Sequence, residues 1–304
     1  MIDRIVFIGS KRLGLDALSV IHRMSTGKLC AVVTVNDSSD ERSVLHEFKK
    51  FSQATGVKLH VLEKPSELED VIRKESPGLC FVVGWYWLIK AHVLRMVEGG
   101  FLGVHASLLP QYRGSSPLVW TILNGENGGG ASMFHFDEGM DTGDIVDQRR
   151  FSIGQDEGIG EVLTKVRSAT LDMIHRNFLA LLTGNAPRFP QKHEFASYCA
   201  QRRPEDGRID WGQTEARIHN AIRAQSHPYP GAFCYMGNGD KLFIWRSSVY
   251  SYPYHGRPGL VVRVSDGSAI VICGKGAVVL SRIQVEGMEE MSPEQVLKHG
   301  MQLS

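Results

Sequence analysis

RIVFIGSKRLGLDALSVIHRMSTGKLCAVVTV, residues 4–35, decides the fold class. Its two ends, 4–9 and 29–35, are apolar runs without alternation, the pattern of strands covered on both faces. Residues 12–25 between them read as a helix, so the stretch is a strand–helix–strand unit. The pattern repeats outward. A polar loop, NDSSDE at 36–41, leads to a helix at about 43–54 and a short strand at 58–62. Ser66 with Glu69 three residues on has the form of a capping box for a helix to about Glu75. GLCFVVG at 78–84 is another unalternated strand. The repetition predicts an α/β, Rossmann-like, doubly wound and mostly parallel sheet. Ligands in such sheets lie outside the carboxyl ends of the strands. Function is therefore expected after the strand at 101–104, in HASLLPQYRG at 105–114.

Further strands are expected at 131–137 and 144–151, flanking the loop EGMDTG, with short and long helices at 117–124 and 159–182. Residues 184–208 hold three prolines and little periodicity. After them come a helix at about 215–224, the turn HPYPGAF, and short strands broken by glycines: KLFIW, GLVVRV, AIVICG and AVVLSRI. These predict a small OB-like β-barrel domain. The expected division is an N-terminal domain at 1–185, a linker at 186–208 and a C-terminal domain at 209–304.

The composition of the 304 residues, 42% hydrophobic and 22% charged, is that of a folded chain. Lys and Arg number 34 against 33 Asp and Glu, a net charge of +1. That balance disfavours a surface built to hold a long polyanion, though not one that binds a small phosphate. Five scattered cysteines without a CxxC pair predict reduced thiols, no disulfide framework and no metal site. The N-terminus MIDRIVFIGS is charged at once, and no apolar run reaches 18 residues. The expectation is a cytoplasmic protein without signal peptide or membrane span.

His105 at a strand end and Asp141 in the loop MDTGD lie 36 residues apart, on loops that can both sit at the same sheet edge; taken alone, a hydrogen-bonded structural histidine and a turn residue before Thr-Gly are the other reading. A carboxylate beside an imidazole orients the ring, raises its basicity and equips it to take a proton from an amine. Pro110 and Gly114 shape the intervening loop, and Arg113 is a fork donor suited to a carboxylate or phosphate.

HASLLPQYRGSSPLVWTILNGE at 105–126 followed by DEGMDTGDIV at 137–146 resembles the signature of the 10-formyltetrahydrofolate-dependent formyltransferases. RPEDGRIDW at 203–211, IRAQSHPYPGAF at 222–233 and KLFIW at 241–245 resemble the linker and C-terminal domain of its two-domain members. Those include methionyl-tRNA formyltransferases and nucleotide-sugar N-formyltransferases, and the chain is most similar to the branch acting on UDP-4-amino-4-deoxy-L-arabinose. The resemblance implies formyl transfer from 10-formyltetrahydrofolate to an amine, without metal. It implies catalytic roles for His105 and Asp141. The folate would be held by Val83, Gly84, Trp85, Tyr86 and Leu88, by Ser107, Leu108, Leu109 and Pro110, and by Asp137 and Gly139. The acceptor would meet Gly9, Ser10, Tyr112, Arg113, Gly114 and Arg203. One position departs from the pattern. The family carries Asn two residues before the His, as an oxyanion donor, and this chain carries Gly103. Losing one such donor typically costs about a hundred- to a thousandfold in rate. Glycine there is expected to leave room for water, another donor or a different acyl group.

The acidic loop at 36–41 and the neutral charge favour a small anionic acceptor, a nucleotide-linked amino sugar, over tRNA or another nucleic acid. Arg202, Arg203 and Arg208 are candidate diphosphate donors. Formylation of methionyl-tRNA, hydrolysis of formyltetrahydrofolate, and folate binding without catalysis are the other readings. The apolar content of the C-terminal domain suits a homodimer or its own core, with the homodimer preferred.

Overall fold

The computed structural model describes residues 1–304, and the chain forms two compact units. The first holds 1–114, 130–150 and 165–198; the second holds 115–129, 151–164 and 199–304. Two segments of the expected N-terminal domain, 115–129 and 151–164, thus belong to the second unit, and residues 186–198 of the expected linker belong to the first. No helix is long and apolar enough to cross a membrane.

The first unit is a seven-stranded sheet. In chain order its elements begin β1 (Ile5–Gly9), α1 (Lys11–Ser25), β2 (Leu29–Val35), α2 (Leu45–Thr55), β3 (Lys58–Leu62), α3 (Glu67–Glu75) and β4 (Leu79–Val83). The chain continues with α4 (Ala91–Leu94), β5 (Phe101–His105), the two-residue β6 (Arg113–Gly114), α5 (Pro117–Leu123), β7 (Gly128–His135), β8 (Ile145–Ser152) and α6 (Ile159–Thr183), of which α5, residues 128–129 of β7, 151–152 of β8 and 159–164 of α6 fall in the second unit. The strand order is β3-β2-β1-β4-β5-β7-β8. The first five are parallel, and β7 runs antiparallel to β5. β1 and β4 are buried along their whole length, which is why their apolar runs do not alternate. α1 turns Leu15, Ala17, Leu18, Val20 and Ile21 inward and ends on Thr26 in the left-handed region. Phe81 of β4 stacks on Phe178 of α6, and Arg167 is ion-paired with Asp16 across α6 and α1.

The order reverses between β1 and β4, and the chain closes tightly there. The Ser10 hydroxyl donates to the Gly84 carbonyl at 2.6 Å. A β-carbon on Gly9 would strike the Val83 carbonyl, and one on Gly84, whose φ is 70°, would strike that of Ser10. The capping box expected at Ser66 is not formed: the Ser66 side chain makes no cap bond, and Glu69 instead pairs with Arg73 and His92. Glu67 accepts from the Glu63 N–H at 2.9 Å.

The second unit contains β9 (Tyr198–Cys199) only at Cys199, then α7 (Glu215–Gln225), β10 (Ala232–Tyr235), β11 (Lys241–Val249), β12 (Val261–Ser265), β13 (Ser268–Ile272) and β14 (Ala277–Val285). Ala232 and Phe233, the end of the expected turn HPYPGAF, instead begin β10, and α4 has no counterpart among the expected elements. The antiparallel order is β10-β11-β14-β13-β12. Residues 300–304 join its two edges: Tyr235 and Ser304 exchange both backbone bonds, at 2.8 and 2.9 Å, and Val261 does the same with Gly300 and Met301, both at 2.9 Å. The apolar residues that suggested a second copy fill this domain's own core, where Trp211, Ile218, Ile222, Leu242, Leu280 and Leu303 pack together.

Candidate active site

β5 ends at His105, and two loops, 106–114 and 136–144, fold over that end. Each contains a non-glycine residue in the left-handed region, Tyr112 with φ 57° and Asp141 with φ 53°. Such conformations are held by surrounding bonds rather than by local preference. The Tyr112 N–H donates to the Ser197 hydroxyl at 2.9 Å. The Asp141 carbonyl accepts from the Gln191 amide at 2.9 Å.

These loops bring His105 and Asp141 together, as expected from their spacing. His105 Nε2 lies 2.7 Å from the Tyr112 carbonyl. A carbonyl only accepts, so that nitrogen carries the proton and the neutral ring keeps its lone pair on Nδ1. Nδ1 faces Asp141 Oδ2 at 3.5 Å. Oδ2 also accepts the Gly114 N–H at 2.8 Å, which ties the two loops together. A proton taken up at Nδ1 gives an imidazolium between two acceptors. The His105 side chain is 10% exposed and that of Asp141 22%, so the pair is sheltered yet reachable.

Gly103 lies two residues back on β5, paired with Val82 and Phe134. The space beside it is not open. A β-carbon built on Gly103 falls 2.8 Å from Phe136 Cζ and closer still to Cε1. Phe136 stacks on Phe134 with centroids 5.1 Å apart, and Phe134 presents its edge to His105. The expectation of room for water, a substitute donor or a larger acyl group is corrected here: an aromatic ring fills that room.

Arg113 is also corrected. It is 1% exposed, and all three guanidinium nitrogens are bonded inside the protein. Nε and Nη2 donate to Gln191 Oε1 at 3.2 and 2.6 Å, Nη1 to the Tyr198 hydroxyl at 3.1 Å, and Nη2 meets His193 Nδ1 at 3.0 Å. It has no face left for an acceptor phosphate. Gln191, which accepts from it, had no signal in the sequence beyond its place after a proline.

A model of the formyl transferase domain matches residues 3–177, and one of the formyl transferase C-terminal domain matches residues 202–300. The chain belongs to the formyl transferase family. The methionyl-tRNA formyltransferase of Syntrophus aciditrophicus (strain SB) is 32% identical over 300 residues, covering 97% of this chain and 95% of that one. The methionyl-tRNA formyltransferase of Acetivibrio thermocellus is 30% identical over 302 residues, covering 97% and 96%. Among solved structures, the fold is shared with WlaRD, a sugar 3N-formyl transferase crystallised with dTDP and 5-N-formyl-THF. The TM-score is 0.70 at 20% identity, covering 94% of this chain and 98% of that one. The N-formyltransferase from Helicobacter canadensis, in complex with folinic acid and dTDP-3-aminofucose, gives a TM-score of 0.67 at 20% identity, covering 92% and 99%.

In this formyl transferase the other residues read from the sequence take varied places. At the end of β4, Val83 is buried and Gly84 makes the turn, while Tyr86 is 56% and Leu88 81% exposed. Trp85 meets Trp87 edge to face, and its buried Nε1 has no protein partner. Ser107 is buried and donates to the Gln111 carbonyl; the Leu109 N–H donates to Ser132 Oγ, and the Pro110 carbonyl accepts from the Ser197 N–H. Leu108 packs over Gly130. Asp137 accepts from the Gly139 N–H and the Thr142 hydroxyl and so shapes the loop ahead of Asp141. Ser10 is 1% exposed, its hydroxyl spent on Gly84. In the second unit, Arg203 receives a backbone cap from Asp206, Arg202 donates to the Asp206 carbonyl and Gln225, and Arg208 lies over the Tyr235 ring.

The loop after β2 is a closed ion network. Lys11 Nζ lies 2.5 Å from Asp37 and 2.8 Å from Asp40, and Arg42 pairs with Asp40 at 2.9 Å. The Arg42 hydrogen bond, helped by Lys11, holds the Asp40 carboxyl well below the usual range. Burial, with Asp37 and Asp40 nearby, pushes the Tyr86 hydroxyl up, which places this acidic loop beside the end of β4.

Proposed function

We propose that the protein transfers a formyl group from 10-formyltetrahydrofolate to the amine of a nucleotide-linked amino sugar. The fit to folate is supported at the end of β4: Trp85 offers a buried, unpartnered N–H, and Tyr86 and Leu88 offer uncovered aromatic and apolar surface. A heteroaromatic ring with acceptor atoms suits that combination. The solved formyltransferases with folate ligands share the fold.

The donor supplies the acyl group; the protein's own groups handle the proton and the orientation. The acceptor amine attacks the formyl carbon as a free base and loses a proton. Nδ1 of His105 receives it, and the imidazolium is stabilised by the Asp141 carboxylate and the Tyr112 carbonyl. The amine adds to the formyl carbon to give a tetrahedral oxyanion; its collapse re-forms the carbonyl and breaks the bond to the folate nitrogen, which takes back from His105 Nδ1 the proton the amine had lost. The tetrahedral oxyanion has no side-chain donor at position 103, so His105 bears more of its charge.

The observation that carries the choice of acceptor is the Lys11–Asp37–Asp40–Arg42 network. A polyanion gains affinity when unpaired Lys and Arg displace its condensed counterions into solvent, and here both basic side chains are already neutralised by carboxylates. The loop suits a compact acceptor that carries its own ammonium group. The second reading, formylation of methionyl-tRNA, is favoured by the names of the relatives at 30–32% identity.

The test is incubation with 10-formyltetrahydrofolate and a panel of UDP-, dTDP- and GDP-linked amino sugars, with methionyl initiator tRNA as a separate arm. Formylation of a nucleotide sugar, read by mass spectrometry, is expected. Product from the tRNA arm alone would overturn the proposed acceptor. Formate release without any acceptor would mark hydrolysis, and tight folate binding without turnover would mark a non-catalytic protein.

A further inference from the structure

We propose that Gln191 is a positioning residue for Asp141, braced from behind by the buried guanidinium of Arg113. This rests on formyl transfer being catalysed at His105 and Asp141. Gln191 is 6% exposed and uses both ends of its amide. Its nitrogen donates to the Asp141 carbonyl at 2.9 Å and to the Gly143 carbonyl at 2.7 Å. Its oxygen accepts twice from Arg113. An amide is the one neutral side chain of this reach that donates two bonds at one end and accepts two at the other.

The arrangement does more than satisfy buried groups. Asp141 sits at φ 53°, where a non-glycine backbone needs outside support. Gln191 grips that residue's own carbonyl and the carbonyl two residues on, so the strained turn is held on both sides. Arg113 sits next to Gly114, whose N–H is bonded to Asp141 Oδ2. The Arg113–Gln191–Asp141–Gly114 bonds therefore form a ring that joins the two catalytic loops and sets the carboxylate opposite His105 Nδ1. Arg113 is buried on neutral partners alone, namely Gln191, the Tyr198 hydroxyl and His193. A cation held so needs every one of those acceptors, which fixes the orientation of Gln191 in turn.

Gln191→Glu separates positioning from simple satisfaction. The carboxylate still accepts from Arg113 and adds opposite charge there, but it donates nothing to the carbonyls of Asp141 and Gly143. A residue that merely satisfied Arg113 would tolerate this change, with Tm equal or higher and kcat unaltered. The positioning role predicts a folded protein of lower Tm, because the Asp141 and Gly143 carbonyls lose their donor, with kcat lowered on the order of 100-fold, the loss expected when a reacting group is misplaced by about 1 Å. KM for either substrate should move less than about threefold. Hydrogen exchange gives a readout independent of turnover: the Gly114 amide should exchange at least about tenfold faster in Gln191→Glu than in the parent. Unchanged kcat and unchanged Gly114 exchange in a folded Gln191→Glu protein would overturn the proposal. Should the parent transfer no formyl group to any acceptor, the exchange measurement alone decides whether Gln191 holds the Asp141 loop. Gln191→Met, which loses both ends, should lose stability as well as rate.

Discussion

Gly103→Ala adds one carbon where the structure has an aromatic ring. The built β-carbon lies 2.8 Å from Phe136 Cζ and closer to Cε1, against an ordinary contact of 3.4–4 Å. The ring has to retreat by at least about 0.6 Å at Cζ, and further at Cε1. Phe136 cannot yield freely, because it stacks on Phe134 and packs with Leu109 and Ile145. Overpacking of this kind costs about 1–3 kcal/mol. Disturbing the aromatic pair adds about 0.5–1.5 kcal/mol. The sum is a destabilisation of about 2–4 kcal/mol, or roughly 5–15 °C in Tm for a unit of this size. The sign is informative, because φ at Gly103 is not positive and glycine to alanine in a strand otherwise stabilises by about 0.5–1 kcal/mol. Gly103→Asn should behave in the same way. In the double variant Gly103→Asn, Phe136→Ala, the amide enters the vacated ring volume, and the loss should fall short of the summed single losses by about 1 kcal/mol or more. Thermal and denaturant unfolding of the four proteins closes the cycle. A Tm for Gly103→Ala within about 1 °C of the parent, or strict additivity in the cycle, would refute the reasoning.

Asp141→Asn and His105→Gln should each lower kcat by about 100- to 10,000-fold with a far smaller change in KM, read by steady-state formylation; retention of more than about a tenth of kcat would remove them from the proton path. Asp37→Asn with Asp40→Asn releases Lys11 and Arg42, so the double variant should elute from heparin at higher salt than the parent, and an unchanged elution point would show that the ion network does not exclude polyanions. Burial first, and then Arg188, push the His135 imidazole down to about 4, below its ordinary 6.5. The unfolded chain therefore binds the extra proton between about pH 6.5 and 4, so stability from this site is complete above that window and is lost as pH falls through it. With solvent screening of a partly exposed ring the loss is on the order of 1–2 kcal/mol. Urea titrations at pH 7 and pH 5 should show a smaller loss in His135→Gln, and equal losses would contradict the assignment.

Much of this molecule was legible before its structure. The strands at Ile5–Gly9, Leu29–Val35 and Leu79–Val83 declare themselves because burial on both faces removes polar residues from the whole run. His105 and Asp141 were legible because a strand end and a short polar loop leave few places for them to go. Arg113 misled because a guanidinium in a glycine-bounded loop looks the same in sequence whether it meets a ligand or three internal acceptors. Gln191 was silent for the opposite reason: its partners are backbone carbonyls some 50 residues away, which leave no trace in side-chain pattern. At Gly103 the sequence showed a missing side chain but not what stood in its place. The occupant, Phe136, comes from a neighbouring strand's far end and meets Gly103 only through sheet register. The strand Ala232–Tyr235 was hidden by the prolines and glycine before it, which read as punctuation.

Residues 300–304 bond to Tyr235 on one side and to Val261 on the other. Without those bonds, the Tyr235 end of one outer strand and the Val261 end of the other would present unpaired N–H and C=O groups, the template on which strands from other molecules add. A product trimmed by a few residues at this end would keep nearly all of its core and still be prone to assemble edge to edge.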